Sequence, residues 1–165
     1  QNISFVRKEN IYQHFLFTDN PRNNLNYLSF PDINGNFITN STLGENPNNE
    51  SDYSIVYFSL ARQFEIDNSK IYIYGKFNNY ELTDDNEMIY NPSLETFEGI
   101  LILKQGFYNY KYVIVKNNMI LKNQISGSFF QTENSYTVLV YKKGFEDLYD
   151  NLIGVGRTNS FELKY

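Results

Sequence analysis

The chain has 165 residues with no Cys, no Trp and one His, and its 14 Lys and Arg against 19 Asp and Glu give a formal net charge of −5. These counts exclude cysteine nucleophiles, zinc fingers, iron–sulfur ligation and His-rich metal cages. The acidic balance argues against nucleic-acid binding, which needs an excess of positive charge. Tyr and Phe together make up 18% of the residues and favour half-buried strands. We therefore predict an all-β protein without a metal or cofactor.

The N-terminal part of the chain, residues 1–62, predicts two strands separated by a long polar loop. The strands are Ile11–Thr18 and Tyr53–Leu60. Between them, residues 20–52 are crowded with Asn, Ser, Asp, Pro and Gly, which form turns and loops. A loop of this length is uncommon inside a compact domain. We expect residues 1–62 to be a β extension, the end of a preceding β domain or a linker from it.

Residues 63–165 carry a regular series of short strands. Segments rich in Ile, Val, Tyr and Phe recur about every ten residues, with turn signals such as Asn78-Asn79 and Asn117-Asn118 between them. Strands at this spacing, without amphipathic helical stretches, predict an antiparallel sandwich. Only Glu146–Leu152 has the composition of a helical turn. The predicted strands are Ile71–Phe77, Glu87–Asn91, Phe97–Leu103, Tyr108–Val115, Tyr136–Tyr141 and Ser160–Lys164.

Alternation along two of these strands predicts which face each side chain occupies. Successive side chains of a strand point to opposite faces. In Tyr108–Val115, the even positions are apolar and predict a core face, whereas Asn109 and Lys111 point outward and predict one solvated face. In Tyr136–Tyr141, both faces are apolar. That segment therefore predicts a central or covered strand.

The sequence offers no catalytic constellation, and we predict that the protein is not an enzyme. The single imidazole, His14, lies in a predicted strand, and no G-x-S-x-G nucleophile motif occurs. The carboxylates that could pair fall in two groups in predicted turns, Asp84, Asp85 and Glu87, and Glu146, Asp147 and Asp150.

The segment Asp32–Asn36 begins like a calcium loop, with oxygen-bearing side chains at alternating positions. It departs from the calcium pattern because Gly35 stands at the fourth place, Phe37 at the sixth, and no bidentate Glu follows. We predict a turn with Asn34-Gly35 at its tip.

Three motifs resemble those of the glycogen-binding module family. These are Gly75–Tyr80, which matches G-x-F-N-N-aromatic, Gly106–Tyr112, and Thr132–Asn134. The resemblance implies an immunoglobulin-like (early-set) antiparallel β-sandwich over residues 63–165. The family stacks glucose on two Trp side chains; here Tyr80 takes the first place, and no aromatic residue near Asn118 takes the second. The resemblance implies sugar contacts at Tyr80, Lys111 and Asn134, and we add their neighbours Asn109 and Thr132 as candidates.

A second resemblance covers more of the chain and points to the plug protein family of the type IX secretion system. The matching segments are Phe17–Arg22, Phe30–Phe37, Asp52-Tyr53, Phe58–Leu60, Met88–Pro92, Leu103–Tyr112, Gly127–Val140 and Tyr149–Val155. In that family, a periplasmic protein closes the inner mouth of an outer-membrane translocon barrel and leaves when a loaded shuttle engages. The family has an additional N-terminal β domain, so the chain resembles its C-terminal portion.

Two functions therefore remain open from the sequence. The first is a periplasmic plug that docks reversibly on a translocon barrel, with Phe30, Phe37, Phe129 and Phe130 as candidate docking residues. The alternative is a carbohydrate (α-glucan) binding module. For either function we expect no nucleic-acid partner and no membrane span, because no apolar run approaches the roughly 20 residues that a spanning helix needs.

Overall fold

Twelve strands run through the part of the chain that the computed structural model describes, residues 3–8, 11–27, 33–40, 46, 51–64 and 68–160. They are β1 (Ile3–Lys8), β2 (Ile11–Leu16), β3 (Phe37–Thr39), β4 (Tyr53–Ala61), β5 (Ser69–Tyr74), β6 (Glu87–Asn91), β7 (Thr96–Lys104), β8 (Gly106–Tyr108), β9 (Lys111–Lys116), β10 (Met119–Leu121), β11 (Ser135–Lys142) and β12 (Asn151–Asn159). Helical structure in the described part is limited to two single 3-10 turns, Lys76–Asn78 and Asp84–Asn86. The predicted all-β sandwich is confirmed.

The structure separates into two units, Gln1–Ser128 with β1 to β10, and Phe129–Tyr165 with β11 and β12. The boundary predicted between residues 62 and 63 lies inside the first unit. There β4 pairs with β7 along its whole length, from Tyr53 opposite Lys104 to Ala61 opposite Thr96. The predicted N-terminal extension and the predicted sandwich therefore share one sheet.

The strands of the first unit form an eight-stranded sheet in the order β1-β2-β4-β7-β6-β5-β9-β10, and β3 pairs with β8 separately. One pairing in this sheet is parallel, that of β2 with β4, with Tyr12 opposite Ser54. Both strands belong to the predicted N-terminal extension, whereas the antiparallel sandwich was predicted for residues 63–165. Parallel neighbours need a long connection, and residues 17–52 separate the two strands. Within β6, Glu87 and Met88 pair with β5, whereas Ile89 to Asn91 pair with β7.

The core lies between the two halves of this sheet. Inward side chains of β4 meet those of β5 and β9 in one cluster, although three strands separate β4 from β9 in the sheet order. The rings of Phe58 and Tyr110 pack edge to face with centroids 5.1 Å apart, which brings the halves together. The buried members of this cluster are Val56, Phe58, Leu60, Ile71, Ile73, Met88, Phe97, Tyr112, Ile114 and Ile125. Apolar burial here, at about 25 cal/mol per Å², supplies the main stabilisation.

The outward face of β9 is covered at Val113, while Lys111 on the same face stays partly exposed, so the predicted solvated face is present only in part. Val113 is fully buried there and packs with Tyr72 and Tyr74 of β5, next to Leu82. The segment 75–86 covers this face, held by the buried Asn86, whose side-chain amide donates to the carbonyl of Ile73 at 2.7 Å. The predicted strand Tyr108–Val115 is also interrupted, since Asn109 and Tyr110 lie between β8 and β9.

The second unit is a two-stranded hairpin of β11 and β12, which pair antiparallel with Leu139 opposite Val155. The prediction that Tyr136–Tyr141 forms a central or covered strand is wrong, because β11 pairs with β12 alone among the described strands and all its residues are exposed. Alternation reports which side chains share a face but not whether anything covers it.

The predicted helical turn at Glu146–Leu152 is also wrong. The structure has a turn at Phe145-Glu146, and β12 begins at Asn151. Asp147 holds this turn, since its Oδ2 accepts from the Gly144 amide at 2.7 Å and from the Asn151 side chain at 2.9 Å. Asp147 therefore caps a loop. Of the predicted strand Ser160–Lys164, Ser160 is a turn residue and the others lie outside the described residues.

No helix in the described part of the chain has the length and apolar character needed to cross a membrane.

Candidate functional site: a tyrosine-lined basic cleft

A cleft of about 570 Å³ opens on the outward side of β5 and β9, and we call it the tyrosine cleft. It forms there because Tyr74 stands directly opposite Lys111 in the β5–β9 register, so both side chains emerge on the same face. Its lining residues are Arg22, Gly35, Tyr74, Gly75, Tyr80, Asn109, Tyr110, Lys111 and Lys122. Three of the five predicted sugar-contacting residues, Tyr80, Asn109 and Lys111, are thus brought together.

Tyr80 is the exposed aromatic residue of the cleft, with 45% of the residue accessible to solvent. Its backbone is left-handed, with φ of +59°, directly after Asn79 at +53°. An aromatic residue in this conformation stores about 1 to 3 kcal/mol of strain, which the surrounding structure must offset. The Tyr80 amide donates to the carbonyl of Gly75 at 3.0 Å, and its ring lies 5.1 Å from that of Tyr74. These contacts hold the ring outward at the cleft.

Asn109 has a structural role in the cleft wall. Its Oδ1 accepts hydrogen bonds from the backbone amides of Ile33 and Gly35, both at 3.1 Å. These bonds fasten the turn in which Asn34 and Gly35 have positive φ values of 54° and 74°, so the predicted turn is confirmed. The side-chain oxygen Oδ1 of Asn109 therefore accepts two hydrogen bonds within the protein, and the side-chain NH₂ is the group that can donate to a ligand.

Lys111 and Lys122 supply the charge at one side of the cleft. Burial, together with the charge of Lys122, lowers the pKa of Lys111. The ammonium group of Lys111 lies 3.4 Å from Oδ1 of Asn123, and that of Lys122 lies over the ring of Tyr74, 5.7 Å from its centroid. The backbone amide of Arg22 donates to the carbonyl of Ile125 at 2.8 Å and places that residue at the cleft.

Sequence reasoning did not assign Arg22, Tyr74 or Lys122 to this site. Tyr74 could have been found from alternation, because it shares the outward face of its strand with Tyr72. No local signal identifies Arg22 or Lys122, since neither belongs to the strands that carry the motifs. Their positions follow from contacts between segments distant in the chain.

The other predicted sugar-contacting residues, Thr132 and Asn134, lie in the second unit and form a local turn there. The Thr132 hydroxyl donates to the carbonyl of Phe129, and the Asn134 side chain donates to the carbonyl of Thr132, both at 2.9 Å. The Asn134 amide also donates to the hydroxyl of Ser160 at 2.9 Å. These bonds fix the base of the β11–β12 hairpin.

The predicted docking residues occupy different environments. Phe37 is half-buried and stacks on Tyr108 with ring centroids 5.6 Å apart, so it packs within the first unit. Phe129 is partly buried, whereas Phe130 is 94% exposed. Phe30 lies outside the described residues.

Sequence reasoning missed an apolar surface on the outward side of β2, β4 and β7, which we call the outer apolar face. It consists of Phe15, Ile55, Tyr57, Ile100 and Ile102. The side chains are contiguous, since Ile55 stands opposite Ile102, Tyr57 stands opposite Ile100, and Phe15 stacks on Tyr57 with centroids 4.4 Å apart. Ile100 and Ile102 are 55% and 64% exposed. Contiguous exposed apolar surface of this kind marks interaction sites.

Comparison with known proteins gives a structural neighbour of undefined function. No protein-family model and no curated protein matches the chain. The chain is similar to a hypothetical protein from Parabacteroides merdae ATCC 43184, with 33% sequence identity and a TM-score of 0.75. The match covers 96% of this chain and 40% of that protein, so this chain spans about two-fifths of its neighbour's length.

Proposed function

We propose that this protein is a docking subunit that closes the outer-membrane translocon barrel of the type IX secretion system as a periplasmic plug. The observation that carries the proposal is the outer apolar face, where Ile100 and Ile102 are exposed side by side with Tyr57 on a rigid sheet. The sequence resemblance supplies the identity of the partner. A plug acts by steric obstruction and needs a surface that binds reversibly.

The composition of the outer apolar face suits reversible binding. A patch of a few aliphatic and aromatic side chains, next to polar residues such as Glu98 and Gln13, resembles the apolar centre and polar rim of non-obligate interfaces. Such a patch leaves the undocked protein soluble while still gaining apolar burial on contact. Exposed Phe130 is a further candidate contact.

The docking proposal is tested by placing a charge on the outer apolar face. We expect Ile102→Glu to lower co-purification of the translocon barrel about tenfold or more, because an uncompensated carboxylate would be buried on docking. The measurement is quantitative mass spectrometry of the barrel captured from envelope extract, together with uptake of a large hydrophilic dye. Phe130→Glu, examined in the same way, tests the docking role predicted for that residue.

Leu94→Glu is the matched control, because Leu94 has the same 64% exposure as Ile102 but lies in the turn between β6 and β7. It should leave capture and dye exclusion unchanged. Unchanged capture by a folded Ile102→Glu variant would contradict docking through this face. Far-ultraviolet circular dichroism establishes that each variant is folded.

The second candidate function, carbohydrate binding, is favoured by a specific observation. Tyr80, Asn109 and Lys111 line the tyrosine cleft together, and the backbone of Tyr80 has a left-handed conformation. Aromatic rings stack on the apolar faces of sugars, and amide and ammonium groups donate to hydroxyls.

Titration with maltoheptaose tests this candidate through tyrosine fluorescence and amide chemical shifts. Binding through the cleft should give saturable changes that Tyr80→Ala abolishes and Tyr149→Ala retains, since Tyr149 is an exposed residue of the second unit. Saturable changes that survive Tyr80→Ala would place any sugar site elsewhere.

A further inference from the structure

The tyrosine cleft concentrates positive charge in an acidic protein. Arg22, Lys111 and Lys122 line it, whereas no Asp or Glu among the described residues does, although the chain carries a formal charge of −5. In the part of the chain that the structure describes, none of these three side chains forms an ion pair with a carboxylate. Charges of one sign held together in a concave surface attract a counterion of the opposite sign.

Lys111 is the cation of the cleft whose pKa is lowered. It emerges from a strand onto a partly buried surface, and burial and the nearby Lys122 both oppose its charge. The polar contact described for its ammonium group is the long one with Oδ1 of Asn123, at 3.4 Å. An anion bound between the two ammonium groups would relieve their repulsion and satisfy their donors.

The aromatic side of the cleft selects a ligand with a flat or ring-shaped body. Tyr80 offers an exposed ring face, and Tyr74 beside it is already covered by the ammonium group of Lys122. A simple inorganic anion would use the cations but not the Tyr80 ring. A neutral sugar would use the ring but leave the cations without partners.

We propose that the tyrosine cleft binds an acidic oligosaccharide, with a ring-borne carboxylate held between Arg22, Lys111 and Lys122 and a sugar face stacked on Tyr80. This inference rests on the carbohydrate-binding candidate and names its ligand class. A nucleic acid also carries anions and rings, but its extended charge would be repelled by the acidic remainder of the molecule.

The test compares two oligosaccharides that differ only at C6, where one carries hydroxymethyl groups and the other carboxylates. Maltohexaose and its derivative oxidised to carboxylates at C6 are titrated into the full chain by calorimetry, at low and at high sodium chloride concentration. We expect the oxidised sugar to bind on the order of tenfold or more tighter at low salt, and this advantage to shrink at high salt as the charges are screened.

Variants that remove one positive charge show which lysines cause the preference for the oxidised sugar. Lys111→Met and Lys122→Met keep most of the aliphatic stem and should each remove most of the preference for the oxidised sugar. Lys116→Met is the matched control, because Lys116 is an exposed lysine of the same strand that does not line the cleft. It should retain the preference.

The possible failures are distinguishable. Equal binding of the two sugars would overturn the acidic assignment while leaving the carbohydrate candidate intact, and binding of neither would overturn both. Sodium sulfate or an oligothymidylate binding as tightly as the oxidised sugar would also overturn the inference, by assigning the cleft to a small anion or to a nucleic acid.

Discussion

Asp19 joins the N-terminal segment to Tyr110 and Tyr112, at the start of β9. Its Oδ2 accepts hydrogen bonds from the hydroxyls of Tyr110 and Tyr112, at 2.7 and 2.8 Å. Its backbone amide donates to Ser59, and its carbonyl accepts from Ala61. Both tyrosine hydroxyls are protonated donors at neutral pH, and burial raises their pKa further above its ordinary value. One carboxylate oxygen therefore accepts hydrogen bonds from two tyrosine hydroxyls at the edge of the core.

Replacing the Asp19 carboxylate should destabilise the fold. We expect Asp19→Ala to lower the free energy of unfolding by about 3 kcal/mol, because it removes two charge-assisted hydrogen bonds and strands the Tyr112 hydroxyl in the core. Urea denaturation followed by circular dichroism measures the change. Asp85→Ala, at an exposed turn position, should stay within about 0.5 kcal/mol of the parent. A similar small effect of Asp19→Ala would show that this network contributes little to stability.

The β11–β12 hairpin is the element whose environment differs most from its sequence pattern. Tyr136, Val138 and Val140 alternate with Thr137, Leu139 and Tyr141, and this pattern is typical of a strand covered on both faces. In the structure, the hairpin has two strands and its apolar side chains are exposed. A two-stranded hairpin is marginally stable in water because its backbone hydrogen bonds are open to solvent.

The rate of amide hydrogen exchange should distinguish this hairpin from the sheet of the first unit. We expect amides of β11 and β12 to exchange far faster than those of β4 and β9, because few buried apolar contacts oppose local opening of the hairpin. Mass spectrometry of peptic fragments after timed exchange provides the comparison within one sample. Protection of β11 equal to that of β4 would mean that its apolar faces are covered in solution.

At the scale of the whole molecule, the first unit carries two unlike surfaces on opposite sides of its core. The outer apolar face belongs to the β4–β7 half of the sandwich, and the tyrosine cleft belongs to the β5–β9 half. Since the core lies between these halves, no residue belongs to both surfaces. Docking can therefore be tested with Ile102→Glu on the outer apolar face, and ligand binding can be tested separately with Tyr80→Ala in the tyrosine cleft.

Much of this architecture could be predicted from the sequence. The strand β6 was predicted with its observed bounds, and β4 and β7 were predicted to within about two residues, because period-two patterning and turn residues act locally. The candidate site was predicted only in part. Lys111 and Tyr80 were found through motif and alternation, whereas Arg22 and Lys122 were not, because neither has a local pattern that signals its partners.

The sequence by itself determined the all-β class, most strand positions and the Asn34-Gly35 turn, since alternation and backbone preference are properties of neighbouring residues. The tertiary structure alone decided that β2 runs parallel to β4, that the outward face of β9 is covered at Val113, and that three cations meet beside Tyr80. Those features depend on which distant segments become neighbours, and chain-wide packing makes that choice when the sheet folds over its core.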